Sequence, residues 1–148
     1  MTPHRYLRAY LAGVFVTTLV LPLILTVFIV ARLVLQVPVP IERALIFPMA
    51  LVPLGWGLWN VFYLWLRQRS HLAIGIHGAI FPFVLVPMGA TVAHALGVVS
   101  FGAAAVNLFR ACSVPYAFIA VGFCCGVAAY YLVWKYIVGF LNRMLGIA

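Results

Sequence analysis

Charged residues interrupt this chain only at wide intervals. None stands between Arg8 and Arg32, between Arg43 and Arg67, between Arg69 and Arg110, or between Arg110 and Lys135. A helix rises about 1.5 Å per residue and needs about 20 apolar residues to cross a hydrocarbon core of roughly 30 Å. Four stretches meet that length, at residues 10–31, 44–66, 72–99 and 115–141. Backbone in hydrocarbon must satisfy its own hydrogen bonds, so each stretch is expected to be helical. The expected fold is an all-α membrane protein, a single integral membrane domain over residues 1–148 built as a four-transmembrane-helix bundle. Composition excludes a soluble domain, since 68% of residues are hydrophobic and 7% charged, against roughly 45–50% and about 25% in soluble chains. The first stretch follows Arg5 and Arg8 as a signal peptide would. Its apolar run exceeds the usual length of about 7–15 residues and no small-residue cleavage site follows, so it is read as a permanent helix.

Eight Arg and Lys135 face a single acid, Glu42, giving a net charge of +8. In a soluble chain such a balance would suggest nucleic acid. Here the cations sit at the ends of the apolar stretches, so the expected partner is the lipid bilayer and no nucleic acid is expected. Four spans place Arg5, Arg8, Arg67, Arg69, Lys135 and Arg143 on one side, and Arg32, Arg43 and Arg110 on the other. Six against three puts both chain ends in the cytoplasm of an inner (plasma) membrane protein. Tyr6, Tyr10, Trp59, Tyr63, Trp65, Trp134 and Tyr136 fall toward the same side and are expected to form an aromatic belt there. Residues 100–114 are too apolar for a solvated loop and too short for a span. They are expected to form a short interfacial helix, with Arg110 reaching for headgroups.

The segment Phe47–Gly55 returns as Phe81–Gly89, identical at six of nine positions with an offset of 34 residues. Its prolines, Pro48, Pro53, Pro82 and Pro87, each remove a backbone donor and disturb the carbonyl four residues back, so helices two and three are expected to be proline-kinked. Freed carbonyls at that depth need protein or water as partners. Inverted copies on consecutive helices resemble the broken helices that line transporter sites. Asn60, His77 and His94 join the four prolines as candidate pathway residues, because intramembrane polar groups are functional candidates by default. A shared need for kinks is the structural alternative, and for the histidines it is a hydrogen bond to a neighbouring helix.

No catalytic residues and no metal site are expected. The chain has no Asp, and Glu42 lies between two spans, so no carboxylate stands in the bilayer for acid-base work. His77 and His94 are seventeen residues apart, about 25 Å along a helix, and cannot share a cofactor. Cys112, Cys124 and Cys125 form no C-x-x-C pair and read as small packing residues. Sequence therefore indicates no cofactor. Gly122 and Gly126 form a GxxxG step, and Gly89, Ala93 and Gly97 a small-residue stripe; both are expected to pack helices, within one bundle or between copies. The expected function is a small transport or channel-type protein for a neutral or anionic species, self-associating or part of a larger membrane complex. A non-catalytic membrane subunit or lipid-binding scaffold is the alternative. A redox or transferase enzyme using His77 or His94 is the third reading.

Overall fold

A computed structural model of the protein describes residues 4–36, 47–108 and 112–147. The protein is mostly helical, 76%. Helix α1 spans Arg5–Leu33, α2 Phe47–Arg67 and α3 Ile74–Ala95. Helix α4 spans Tyr116–Leu132 and runs on through a π-helical segment, Val133–Val138, into α5, Gly139–Met144. Among the described residues three helices are long and apolar enough to cross a membrane: Arg5–Leu33, Ile74–Ala95 and the composite Tyr116–Met144. They mark the chain as a membrane protein.

The third connection differs from expectation. In place of a short helix it is a three-stranded antiparallel sheet, with β1 at Val99–Phe101, β2 at Ala105–Leu108 and β3 at Cys112–Pro115. Val99 pairs with Leu108, and Leu108 in turn with Cys112. Gly97 explains the change. It adopts φ +70°, its amide donates to the His94 carbonyl and the Val98 amide to that of Ala93. This paired closure ends a helix and favours glycine, which lacks the Cβ that penalises positive φ. Helix α3 therefore stops at Ala95, four residues before the expected span end, and Val99, Val106 and Val114 enter strands, where β-branched side chains fit. Gly97 thus terminates α3 instead of extending a packing stripe. Arg110 and residues 37–46 lie outside the described residues.

Packing is concentrated at one end. On α1 the buried residues are Ala9, Ala12, Gly13, Val16 and Thr17, a stripe at helical spacing confined to the first half of the helix. There α1 lies against α2: a Cβ on Gly13 would stand 2.5 Å from the Trp56 carbonyl oxygen and 2.9 Å from the Gly57 Cα. Helix α3 approaches the π segment as closely, since a Cβ on Gly78 would fall 2.2 Å from Trp134 Cγ. Trp56, Phe81, Trp134, Val138 and Leu141 fill the space between the two helix pairs. Gly146, at φ +66°, closes α5 in the same manner as Gly97 closes α3, and turns Ile147 inward onto Ala9, Tyr63 and Leu64.

Toward the sheet the bundle opens. Helix α4 buries none of its residues between Tyr116 and Leu132, and α1 beyond Thr17 exposes Leu19, Leu23 and Val27. Helices α3 and α4 stay in touch there through Phe83 and Phe123, edge to face at 5.0 Å.

Candidate functional site

Two constellations stand out, a polar core in the packed end and a pair of apolar grooves in the open half.

The polar core joins four segments of chain. Asn60 on α2 and Asn142 on α5 are both fully buried and exchange amide hydrogen bonds. Asn60 Nδ2 donates to Asn142 Oδ1 at 2.9 Å, and Asn142 Nδ2 donates to Asn60 Oδ1 at 3.1 Å. Asn60 Nδ2 also donates to the Ala9 carbonyl at 2.7 Å, which adds α1. His77, 1% exposed, forms a second reciprocal pair. Its Nε2 lies 3.0 Å from the Trp59 carbonyl oxygen, and Trp59 Nε1 donates to the His77 carbonyl at 3.0 Å. A carbonyl only accepts, so Nε2 carries the proton. The Trp59 indole stacks over His77 at 4.7 Å and over Phe81, one turn on, at 4.8 Å. Chemically these are neutral staples between helices, each donor matched to an acceptor, as burial in an apolar interior requires.

The structure distributes the candidate pathway residues among different environments. Asn60 and His77 lie in the packed end, already bonded. His94 is exposed at the other end of α3, where Nδ1 donates to the Val99 carbonyl at 3.0 Å and the ring sits 5.5 Å from Phe101. It fastens the turn between α3 and β1. Helix α2 continues through Pro53, and α3 through Pro82 and Pro87. Pro82 is buried and Pro87 exposed. The Pro87 carbonyl accepts from Thr91 Oγ1 at 2.8 Å, as that of Pro22 does from Thr26 Oγ1. Thr17 and Thr18 likewise bond within α1, to Val14 and Phe15.

The aromatic belt needs correction. Trp65, Tyr6 and Tyr136 are exposed at the rim, whereas Tyr63 and Trp134 are core residues, at 7% and 0% exposure. A helix turns about 100° per residue, so neighbours in sequence at the same depth face opposite ways. Depth alone does not distinguish belt from core.

The grooves occupy the open half. One, of about 280 Å³, lies between α3 and α4 and is lined by Pro82, Leu85, Val86, Ile119, Phe123 and Tyr130, with Gly122 and Gly126 in its floor. The other, of about 300 Å³, lies between α1, α2 and α4, among Val16, Val20, Ile24, Val52, Trp56 and Tyr130. A Cβ on Gly89, Gly122 or Gly126 would meet nothing within 4 Å. Among the described residues a Cβ on either glycine of the GxxxG step therefore touches nothing, and the close contacts fall on Gly13, Gly57, Gly75 and Gly78. The spacing of Ala9, Gly13 and Thr17, a small residue every fourth position, was the available signal for the first of these. Trp56 and Trp134 keep buried indole N–H groups without a hydrogen-bond partner among the described residues.

Among the described residues no three His, Cys, Asp or Glu side chains come together. Searches against protein-family models, curated proteins and solved structures found no match to this chain.

Proposed function

We propose that the protein is a non-catalytic membrane subunit or lipid-binding scaffold, whose open half receives an acyl chain or an apolar helix from a partner. The observation that carries this reading is the contrast between the two halves. One end is closed around matched polar staples, while the other presents two grooves with almost wholly apolar walls beside an α4 that buries nothing. A hydrated path needs polar wall atoms, whereas an acyl chain or helix needs only shape and apolar surface. The proposal includes α2 as a fourth span, kinks at Pro53 and Pro87 that let the helices diverge, and an inner-membrane orientation with both chain ends cytoplasmic.

Two experiments test it. Single cysteines at positions 48–57 and 82–91, in a chain freed of Cys112, Cys124 and Cys125, are expected to resist a water-soluble thiol reagent throughout. Labelling along one face of both segments would instead favour transport of a neutral or anionic species past Pro48, Pro53, Pro82 and Pro87. A photoreactive side chain at Val20 or Leu85 should yield covalent adducts with lipid or with a second polypeptide, which separates scaffold from subunit.

Orientation has its own check. A reporter fused after Ala148 should be cytoplasmic, and one placed between Val37 and Ile41 external. Neutralising Arg67 and Arg69 should weaken that bias, because loop cations set topology. Either reporter reading from the opposite side would overturn the four-span arrangement.

A further inference from the structure

Among the described residues the packed end carries six cations and no acid. Arg5 and Arg8 open α1, Arg67 ends α2 and Arg69 follows it, and Lys135 and Arg143 lie on the last helical stretch. The chain contains no Asp, and its one Glu, Glu42, falls in sequence between α1 and α2. Among the described residues no carboxylate side chain is placed to neutralise the rim.

Three of these cations are nevertheless held in position, and the groups that hold them are neutral. The Lys135 ammonium stands 5.5 Å from the centre of the Tyr131 ring and 5.2 Å from that of Tyr136. The start of α3 packs against its stem, since a Cβ on Gly75 would lie 3.2 Å from Lys135 Cβ. The Arg69 guanidinium lies 4.4 Å over the Trp65 ring. Arg8 Nη1 donates to the Leu145 carbonyl at 3.3 Å. Aromatic faces and carbonyls orient a cation while leaving its full charge in place. Arg67, Arg69, Lys135 and Arg143 are exposed.

From this we infer that the packed end is a binding surface for anionic phospholipid headgroups, with Lys135 and Arg69 as its fixed contacts. The cations are spread around a rim instead of converging on one point, which suits a layer of headgroups and not a single free anion. Exposed Trp65 and Tyr136 stand beside them, as amphipathic rings do at headgroup depth. This inference concerns the rim and does not depend on what occupies the grooves.

Purified full-length protein in nanodiscs of phosphatidylcholine, with and without phosphatidylglycerol, provides the test. Lipids retained after transfer to detergent are counted by native mass spectrometry, and thermal unfolding is followed by tryptophan fluorescence. Retained lipid should be enriched in phosphatidylglycerol and the unfolding temperature raised by it, both effects weakening with salt. Each of Lys135→Gln and Arg69→Gln should lower the enrichment about fivefold, the usual effect of one cation near an anionic surface. Arg32→Gln, at the opposite end, should leave it unchanged. Inorganic phosphate added in detergent should not shift unfolding. The inference fails if neutral and anionic lipids are retained equally, if the rim variants keep the preference while unfolding normally in phosphatidylcholine, or if inorganic phosphate alone reproduces the stabilisation.

Discussion

Gly13→Leu is expected to part α1 from α2 and destabilise the protein by about 3 kcal/mol or more, the upper end of what overpacking costs. The Cβ would enter 2.5 Å from the Trp56 carbonyl oxygen, and that atom is backbone, so no rotamer change relieves the clash. The whole of α1 must move, and Ala12 and Val16 leave the core with it. Unfolding in mixed detergent measures the loss directly. Gly122→Leu is the matched control, because an added Cβ there meets nothing within 4 Å; its effect on the isolated chain should stay within about 0.5 kcal/mol, as at other uncrowded surface positions. If the two variants unfold alike, the close approach of α1 and α2 is wrong. If only the Gly122 variant changes the size of the particle in detergent, the GxxxG step serves contact between copies.

The second large effect concerns the amide pair. Asn60→Leu or Asn142→Leu strands the remaining amide in an apolar interior, at a cost of about 1–3 kcal/mol. The variant at Asn60 should be the more damaging, because it also removes the donor to the Ala9 carbonyl. The double variant should cost less than the sum of the singles, with a coupling between about 0.6 and about 1.7 kcal/mol, the average and the maximum measured between membrane helices. Strict additivity would show that the two side chains do not interact.

Much of the architecture was legible because length and charge spacing decide it. Runs of uncharged residues gave helices close to the drawn boundaries, and α3 misses only where Gly97 stops it. The sheet was hidden by the Ala103–Ala105 run, which resembles helix in a sequence, while pairing between strands is a tertiary fact. The core was legible in kind and misplaced in detail. Trp134 and Tyr63 share depth with the exposed Tyr136 and Trp65, and only their angular position, for Trp134 within the wider turn of the π segment, sends them inward. Asn142 escaped notice because it stands one residue beyond the expected end of the fourth span. Asn60 and His77 stand out in the sequence as polar groups within apolar stretches, yet sequence cannot tell a polar group that lines a path from one whose partner arrives from elsewhere in the chain.

The closed end also governs when this protein can finish folding. Asn142, Leu145 and Ile147 supply the partners of Asn60, Arg8 and Ala9, and all three are made well after α1 and α2. Helices α1 and α2 can meet as soon as both are inserted, because Gly13 and Gly57 require nothing further. Throughout the synthesis of the chain up to residue 142, however, the Asn60 amide waits without Asn142. Chains that stall before residue 142 would display an unmatched Asn60 amide beside an unfilled seat for Ile147.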